Sequence, residues 1–337
     1  MTASYDAILL LSFGGPEHPD DVMPFLENVV RGKNVPRQRL EDVAKHYELF
    51  DGVSPINAQN RALLRALLAE LNAQGLGLPV YWGNLHWHPM LADTLRDMAE
   101  DGVRHAVAFV TSAYSSYAGC RQYIEAIEQA RREVGTEAPE VDKLRVFYNH
   151  PGFIEPMAER AAAALAEVPE EHRDAAHLVF TAHSLPVAMA EQCDYEAQLR
   201  EACRLVAERV GLEKWTLAYQ SRSGPPSQPW LEPLVGDWLR ELAAKEPHAE
   251  LVLVPIGFVC EHMEIVFDLD VEVGALCEEL GLGMVRAAVV GCHPRFVRMI
   301  VELVRERLDA NAPRLALGDR GPAPDVCPPG CCPPRGR

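Results

Sequence analysis

Short apolar runs and longer amphipathic stretches alternate from one end of the chain to the other. The apolar runs, bounded by Gly, Pro, Asn or charged residues, are typical of buried strands. Between them, stretches such as 57–75 and 188–211 repeat apolar residues at helical spacing. The pattern predicts eight strands, at residues 6–13, 78–84, 105–112, 144–149, 177–184, 216–221, 250–258 and 284–290.

Strands that alternate with helices of this length predict an α/β fold with parallel sheets and helical crossovers. We expect two similar doubly wound lobes, each a four-stranded parallel sheet flanked by helices. The acidic, Pro-containing stretch 167–176 suggests lobes at 1–167 and 168–312, with the last helix free to pack on the first lobe. A Pro- and Cys-rich tail, 313–337, follows.

Composition and charge narrow the class of protein. The chain is 48% hydrophobic and 24% charged, which is ordinary for a globular protein. No apolar run reaches the ~18 residues of a membrane helix, and the N-terminus lacks signal-peptide features, so we expect a cytoplasmic location. A net charge of −17 argues against nucleic acid and suits a protein that attracts cations. The chain contains nine Cys, and this odd number does not indicate a disulfide framework. We also expect the protein to be a monomer.

Polar motifs follow several of the predicted strands. They are "SFGG", "HWHP", "TSAYSSY", "AHSLP" and "QSRSGPP". In parallel sheets the ligand lies beyond the carboxyl ends of the strands, so these motifs predict one large cleft. The sequence contains neither G-x-G-x-x-G nor a P-loop motif, so a nucleotide cofactor is not indicated.

Two motifs carry candidate chemistry. His183, in "AHSLP", is either a histidine hydrogen-bonded to backbone at the edge of the core or a general base or metal ligand. In "EHMEIVFDLDVE", Glu264, Asp268 and Glu272 would share one helix face, two residues after His262. Like charges at this spacing cost roughly a few tenths of a kcal/mol per pair. The row is either a solvated face or a path for cations and protons, and the lack of Lys or Arg four residues away favours the path.

Two further segments could contact a ligand. Residues 31–57 are rich in Arg and Lys, which form either a charged loop and helix or a site for carboxylates. Trp230, in the Pro-rich "QSRSGPPSQPW", could pack against a flat apolar ligand.

Together these stretches resemble the ferrochelatase family, which inserts Fe²⁺ into porphyrins. The resemblance runs over nearly the whole chain, through "LLLSFGGP", "GVSPIN", "HSLP", "QSRSGPPSQPWLEP" and "GFVCEHMEIVFDLDVE". It implies a chelatase-like fold in which His183 and Glu264 are the metal-binding and catalytic pair, facing each other across the cleft. His262, Asp268 and Glu272 would complete an acidic path for metal and protons.

The resemblance also implies a substrate. The short N-terminus, the lack of a membrane anchor and the basic segment favour the bacterial branch that converts coproporphyrin III to Fe-coproporphyrin III (coproheme) in haem biosynthesis. Protoporphyrin IX, with two propionates instead of four, is the alternative. Phe13 stands where many bacterial relatives carry a Tyr that ligates the product iron, and His46 replaces an Arg. The candidate porphyrin contacts are Ser54, Tyr123, Arg31, His46, Tyr47, Phe13 and Trp230.

The end of the tail, 321–337, contains Pro at six positions, which is typical of a disordered extension. Its Cys327, Cys331 and Cys332 nevertheless resemble the C-terminal ligands that some ferrochelatases use for a [2Fe–2S] cluster. Such a cluster needs four ligands, and the tail has three. The resemblance places the fourth near Pro151, where no Cys stands, so another internal Cys would be required. Zinc bound by the same thiolates is the alternative.

The sequence is also compatible with three other functions. A related chelatase could insert cobalt or nickel into a different tetrapyrrole. A non-catalytic porphyrin or haem carrier would need the pocket without the acidic row. A periplasmic metal-binding protein shares two α/β lobes but would need an export signal.

Overall fold

Two four-stranded parallel sheets form the framework of the chain, as the sequence predicts. The computed structural model describes residues 4–224, 227–328 and 330–333. The first sheet has the order β2-β1-β3-β4 and the second the order β6-β5-β7-β8. The strands are β1 (Ala7–Ser12), β2 (Val80–Asn84), β3 (His105–Val110), β4 (Glu140–Lys143), β5 (His177–His183), β6 (Trp215–Gln220), β7 (Glu250–Val254) and β8 (Gly283–Arg286).

Helices cover both faces of each sheet. Two segments, Tyr117–Arg121 and Asp268–Val273, have π-helical hydrogen bonding, and two others, Pro19–Asp21 and Glu170–Ala175, form short 3₁₀ turns. The α-helices of the described residues are α1 (Val22–Val29), α2 (Arg37–Glu48), α3 (Ile56–Ala73), α4 (Leu91–Glu100), α5 (Gln122–Val134), α6 (Pro151–Leu165), α7 (Val187–Ala190), α8 (Tyr195–Val210), α9 (Val235–Lys245), α10 (Met263–Val266), α11 (Gly274–Leu280) and α12 (Pro294–Leu308).

Burial of both sheet faces explains why the strands read as continuous apolar runs. All six residues of β1 are buried. Ile8 and Leu10 face a large core that also contains Phe180 and Val252 of the second sheet, whereas Leu9 and its alternate neighbours face α4 and α5. Side chains alternate across a strand, so a strand covered on both faces needs apolar residues throughout.

The prediction for the fourth strand is wrong in position. The strand is Glu140–Lys143, which pairs with β3 at the edge of the first sheet. Charged residues are typical of edge strands, and here they hide the strand from a search for apolar runs. The apolar residues at 144–149 are buried in the main core without forming a strand.

The helix predicted at 188–211 is also interrupted. It consists of α7 and α8, separated by a turn at residues 191–194. The turn leaves Cys193 half-buried and starts α8 at Tyr195, which lies in the core.

The chain after α12 lies against the first lobe. The helix itself packs on α3 and α6. The Asn149 side chain then donates to the carbonyl oxygens of Leu317 (3.2 Å) and Gly321 (2.9 Å), and Arg145 donates to that of Leu315 (2.9 Å). The described part of the tail forms neither helix nor strand. Among the described residues, no helix combines the length and apolar character needed to cross a membrane.

Candidate active site at the carboxyl ends of the second sheet

His183 and Glu264 lie together at one edge of the second sheet. His183 is the last residue of β5, and Glu264 belongs to α10, which follows the neighbouring strand β7. Because parallel strands end at the same edge, the fold brings the two side chains together. His183 Nε2 lies 3.5 Å from Glu264 Oε1, and the side chains are 30% and 43% exposed, so both are accessible to a ligand. Both residues belong to the second lobe.

Backbone contacts fix the orientation of His183. Its Nδ1 lies 2.5 Å from the carbonyl oxygen of Ser184, to which it can donate. The Tyr195 hydroxyl donates to the carbonyl oxygen of His183 at 3.0 Å. A histidine that donates through Nδ1 presents the lone pair of Nε2, which can bind a metal ion or accept a proton.

Two residues at the end of β6 support the acidic segment. The Gln220 side chain donates to the carbonyl oxygen of Glu264, and the Ser221 hydroxyl donates to the Asp268 carboxylate. Sequence reasoning assigned neither residue a role, although both lie in the "QSRSGPP" motif at a strand end. Through these two hydrogen bonds, the end of β6 contributes to the site together with the ends of β5 and β7.

Asp268 has an unusual protonation equilibrium. Burial raises its pKa to about 7, and the negative charges of Glu264 and Glu272 contribute in the same direction. The hydrogen bond from Ser221 opposes this shift. A carboxyl group that titrates near neutral pH is suited to accepting and releasing protons.

The spacing of the acidic row predicts a regular α-helix, and this prediction is wrong. Helix α10 ends at Val266, and in the following π-helical segment the Glu272 amide donates to the carbonyl oxygen of Phe267 at 3.0 Å. Glu264 and Asp268 are partly buried, whereas Glu272 is exposed. The row therefore leads from the His183 pair to solvent, and such π-helical turns are frequent at functional sites.

His262 completes the group of candidate ligands. Burial lowers its pKa, the charge of Glu264 opposes that shift, and His183 reinforces it. Its ring packs against Phe258, with centroids 4.6 Å apart. Within the described ranges, no three His, Cys, Asp or Glu side chains converge on a point where they could hold one metal ion. The donors thus form an open line rather than a closed cage.

Two neighbouring acidic residues outside this row, Asp270 and Glu261, are paired with Arg286. Arg286, the last residue of β8, donates to both carboxylate oxygens of Asp270 and lies 3.1 Å from Glu261. The sequence showed no compensating cation because Arg286 is distant along the chain.

Helices α1 and α2 cover the acidic segment from the first lobe. The His46 ring stacks on Phe267 with centroids 3.8 Å apart. Tyr47 is buried, and its pKa is raised by burial and by the charges of Glu264 and Asp268. Two of the candidate porphyrin contacts therefore lie beside the candidate catalytic residues.

Two other candidate contacts lie at the surface. Phe13, at the end of β1, is 37% exposed and packs against His86, with ring centroids 4.5 Å apart. Burial lowers the pKa of His86 to about 4. Arg31 is exposed and donates to the side chain of Asn28.

The remaining three candidate contacts are buried. Ser54 lies beneath the Gly15 backbone, where a Cβ on the glycine would be 2.8 Å from the serine Cβ. Tyr123 packs in the core between the first sheet and its helices. Trp230 packs against Gly224, where an added Cβ would come within 2.3 Å of the indole nitrogen. None of these three side chains is exposed to a ligand in this structure.

The tail thiols lie beside two internal cysteines. Cys327 contacts the thiol of Cys120, and Cys332 contacts that of Cys193. The sulfur atoms of Cys331 and Cys332 are 3.4 Å apart. No sequence signal pointed to these internal partners.

Similar proteins identify the family of this chain. The family model described as Ferrochelatase matches residues 5–308. A "Ferrochelatase" of Rhodopirellula baltica is 56% identical over 97% of this chain and 93% of its own length. A "Coproporphyrin III ferrochelatase" of Streptomyces coelicolor is 50% identical over 98% and 94%. Another, of Frankia alni, is 52% identical over 99% and 90%.

Solved structures agree with the fold. SirB from Bacillus subtilis with Fe3+ has a TM-score of 0.56 at 13% identity, over 93% of this chain and 99% of that chain. The cobalt complex of the sirohydrochlorin chelatase SirB, from Bacillus subtilis subspecies spizizenii, has a TM-score of 0.53 at 11% identity, over 91% and 97%. The two-lobed chelatase fold expected from the sequence is confirmed. With the family match over nearly its whole length, the chain belongs to the ferrochelatase family and is an enzyme that inserts a metal ion into a porphyrin.

Proposed function

We propose that this enzyme inserts Fe²⁺ into coproporphyrin III and produces coproheme. The observation that carries the proposal is the exposed pair of His183 and Glu264, 3.5 Å apart. The pair lies in a chain about half identical, over nearly its full length, to proteins named coproporphyrin III ferrochelatases. Both iron and porphyrin are substrates here.

The chain's own residues can handle the protons of this reaction. Insertion of Fe²⁺ replaces two pyrrole protons, so a metal-inserting site needs a proton acceptor and a route to solvent. The Nε2 atom of His183 is the proposed acceptor, and it lies 3.5 Å from Glu264 Oε1. Asp268, with a pKa near 7, then exchanges protons towards the exposed Glu272. The same carboxylates can deliver partly hydrated Fe²⁺ in the opposite direction.

Charge at the mouth of the cleft supports a porphyrin with four propionates. The loop and helix at 31–48 carry the basic residues predicted from the sequence, several of them exposed, and Arg31 is among these. His46 lies between this surface and the acidic row. Arginine binds carboxylates in two-pronged hydrogen bonds, so this segment is our proposed binding surface for the propionates. We also propose that the enzyme acts as a monomer in the cytoplasm.

We propose in addition that the tail thiols hold a [2Fe–2S] cluster. The contacts of Cys327 and Cys332 with internal thiols fit the requirement of such a cluster for four thiolates. When bound, the cluster would link its cysteine ligands to one another through bonds between iron and the thiolate sulfur atoms.

The direct test is anaerobic Fe²⁺ insertion into coproporphyrin III and protoporphyrin IX, side by side, followed by absorbance. We expect turnover with coproporphyrin well above turnover with protoporphyrin. Preference for protoporphyrin would refute the substrate assignment. Tight porphyrin binding without turnover on either substrate would instead support a carrier.

A matched pair of variants tests the site. Glu264→Gln should lower turnover by about 10²–10⁴-fold, the usual contribution of acid–base catalysis, while porphyrin binding is retained. Glu278→Gln removes an exposed carboxylate in the next helix and should leave turnover unchanged. Equal turnover of the two variants would show that Glu264 has no catalytic role.

A further inference from the structure

The two internal cysteines beside the tail come from different lobes. Cys120 lies in the π-helical turn Tyr117–Arg121, between β3 and α5 of the first lobe. Cys193 lies in the turn between α7 and α8 of the second lobe. The tail therefore reaches a place where both lobes present a thiol.

The five thiols form a continuous line. Cys327 contacts Cys120 and Cys331, and Cys332 contacts Cys331 and Cys193. Cys120 and Cys332 are each only 3% exposed, and the other three are partly buried or buried. Each end of the line thus pairs one tail thiol with one internal thiol.

We propose that Cys120 and Cys193 are the internal ligands of the tail cluster, so that the cluster joins the two lobes. Cys120 and Cys327 would bind one iron, and Cys193 and Cys332 the other. Cys331, at the centre of the line, is then not a required ligand. This inference rests on the proposed [2Fe–2S] cluster.

The pairing favours two irons over one metal ion. In a [2Fe–2S] cluster four thiolates serve two irons, and the bridging sulfides complete the coordination. A structural zinc site instead needs its ligands around a single point. The described residues show no convergent group of three or more such ligands. Ligation of an oxidised cluster core requires four thiols to lose four protons and involves no electron transfer.

The proposed ligation also reaches the active site. Cys193 stands two residues before Tyr195, whose hydroxyl holds the carbonyl oxygen of His183 at 3.0 Å. A cluster bound to Cys193 would fix the turn from which Tyr195 starts α8. Tyr195 is thus a positioning residue through which the cluster can affect His183.

The test compares cysteine variants of the full-length protein, purified anaerobically. Iron and acid-labile sulfide are quantified per chain, and the reduced protein is examined by electron paramagnetic resonance. We expect about two irons and two sulfides per chain in the wild type. Cys292→Ser, at an exposed thiol, and Cys331→Ser should keep them. The Cys120→Ser and Cys193→Ser single variants should lose iron and sulfide, and the double variant should contain neither.

A second measurement needs no variant. Alkylation followed by mass spectrometry should show Cys193, which is only half-buried, protected in the native protein and labelled after the cluster is removed. Cys292 should react in both states. This readout remains informative where a substitution prevents folding.

The outcomes separate the two levels of the proposal. A double variant with full iron and sulfide, or a Cys193 thiol that reacts in the native protein, would overturn the inference about ligands. A wild type that contains zinc and no sulfide would overturn the cluster as well. Neither result changes the separate test of coproporphyrin turnover.

Discussion

The substitution Asp268→Asn tests the acidic row through the stability of the protein. The pKa of Asp268 is about 7 in the folded state, against a usual value of 3.8. The folded state therefore holds this proton more tightly than the unfolded state does. Stability linked to the proton is present at low pH and is lost as the pH rises from about 4 to about 7.

The size of the effect follows from the difference between the two pKa values. One pKa unit corresponds to about 1.36 kcal/mol, so the shift from 3.8 to about 7 corresponds to about 4 kcal/mol. Asparagine remains neutral and can keep a hydrogen bond with Ser221. We therefore expect Asp268→Asn to match the wild type near pH 4 and to be more stable by up to about 4 kcal/mol above pH 7.

Urea unfolding at several pH values between 4 and 8 measures this difference. Glu278→Gln, which removes an exposed carboxylate from α11, is the control and should follow the wild type throughout. A pH-independent difference between Asp268→Asn and the wild type would refute the reasoning. A stabilised variant with reduced metal insertion would show that the enzyme gives up stability to keep a titratable carboxyl group in the row.

Three further substitutions test the site and the packing of the chain. Tyr195→Phe removes the hydroxyl that holds the His183 carbonyl, and should cost about 1 kcal/mol of stability and lower kcat with little change in KM, in steady-state kinetics. Arg145→Ala breaks a buried ion pair with Glu306, in which the side chains are 1% and 2% exposed, and urea unfolding should show a loss of about 3–5 kcal/mol. Burial lowers the pKa of His46. As the pH rises through that pKa the imidazolium loses its charge, so KM for coproporphyrin should rise, and His46→Gln should remove this dependence. An unchanged pH profile in the variant would exclude His46 as a propionate contact.

The sequence predicts those features that depend on residues close together along the chain, such as strands and short motifs. Apolar runs identified seven of the eight strands within a few residues, because strands buried on both faces need apolar side chains throughout. The same logic missed β4, whose charged residues are compatible with an edge. The motifs "HSLP" and "EHMEIVFDLDVE" placed His183 and Glu264 at strand ends, and parallel pairing of β5 with β7 explains why they meet.

Contacts between distant parts of the chain were decided by the tertiary structure alone. The sequence could not show that Arg286 neutralises Asp270, or that π-helical winding replaces a regular helix along the acidic row. It also could not choose the internal partners of the tail thiols. Cys120 and Cys193 carry no distinguishing local pattern, and they meet the tail only because the two lobes and the course of the chain after α12 bring them there. The local sequence pattern predicts which residues are buried and which form a motif. Contacts between residues far apart in the sequence depend instead on how the two lobes pack together.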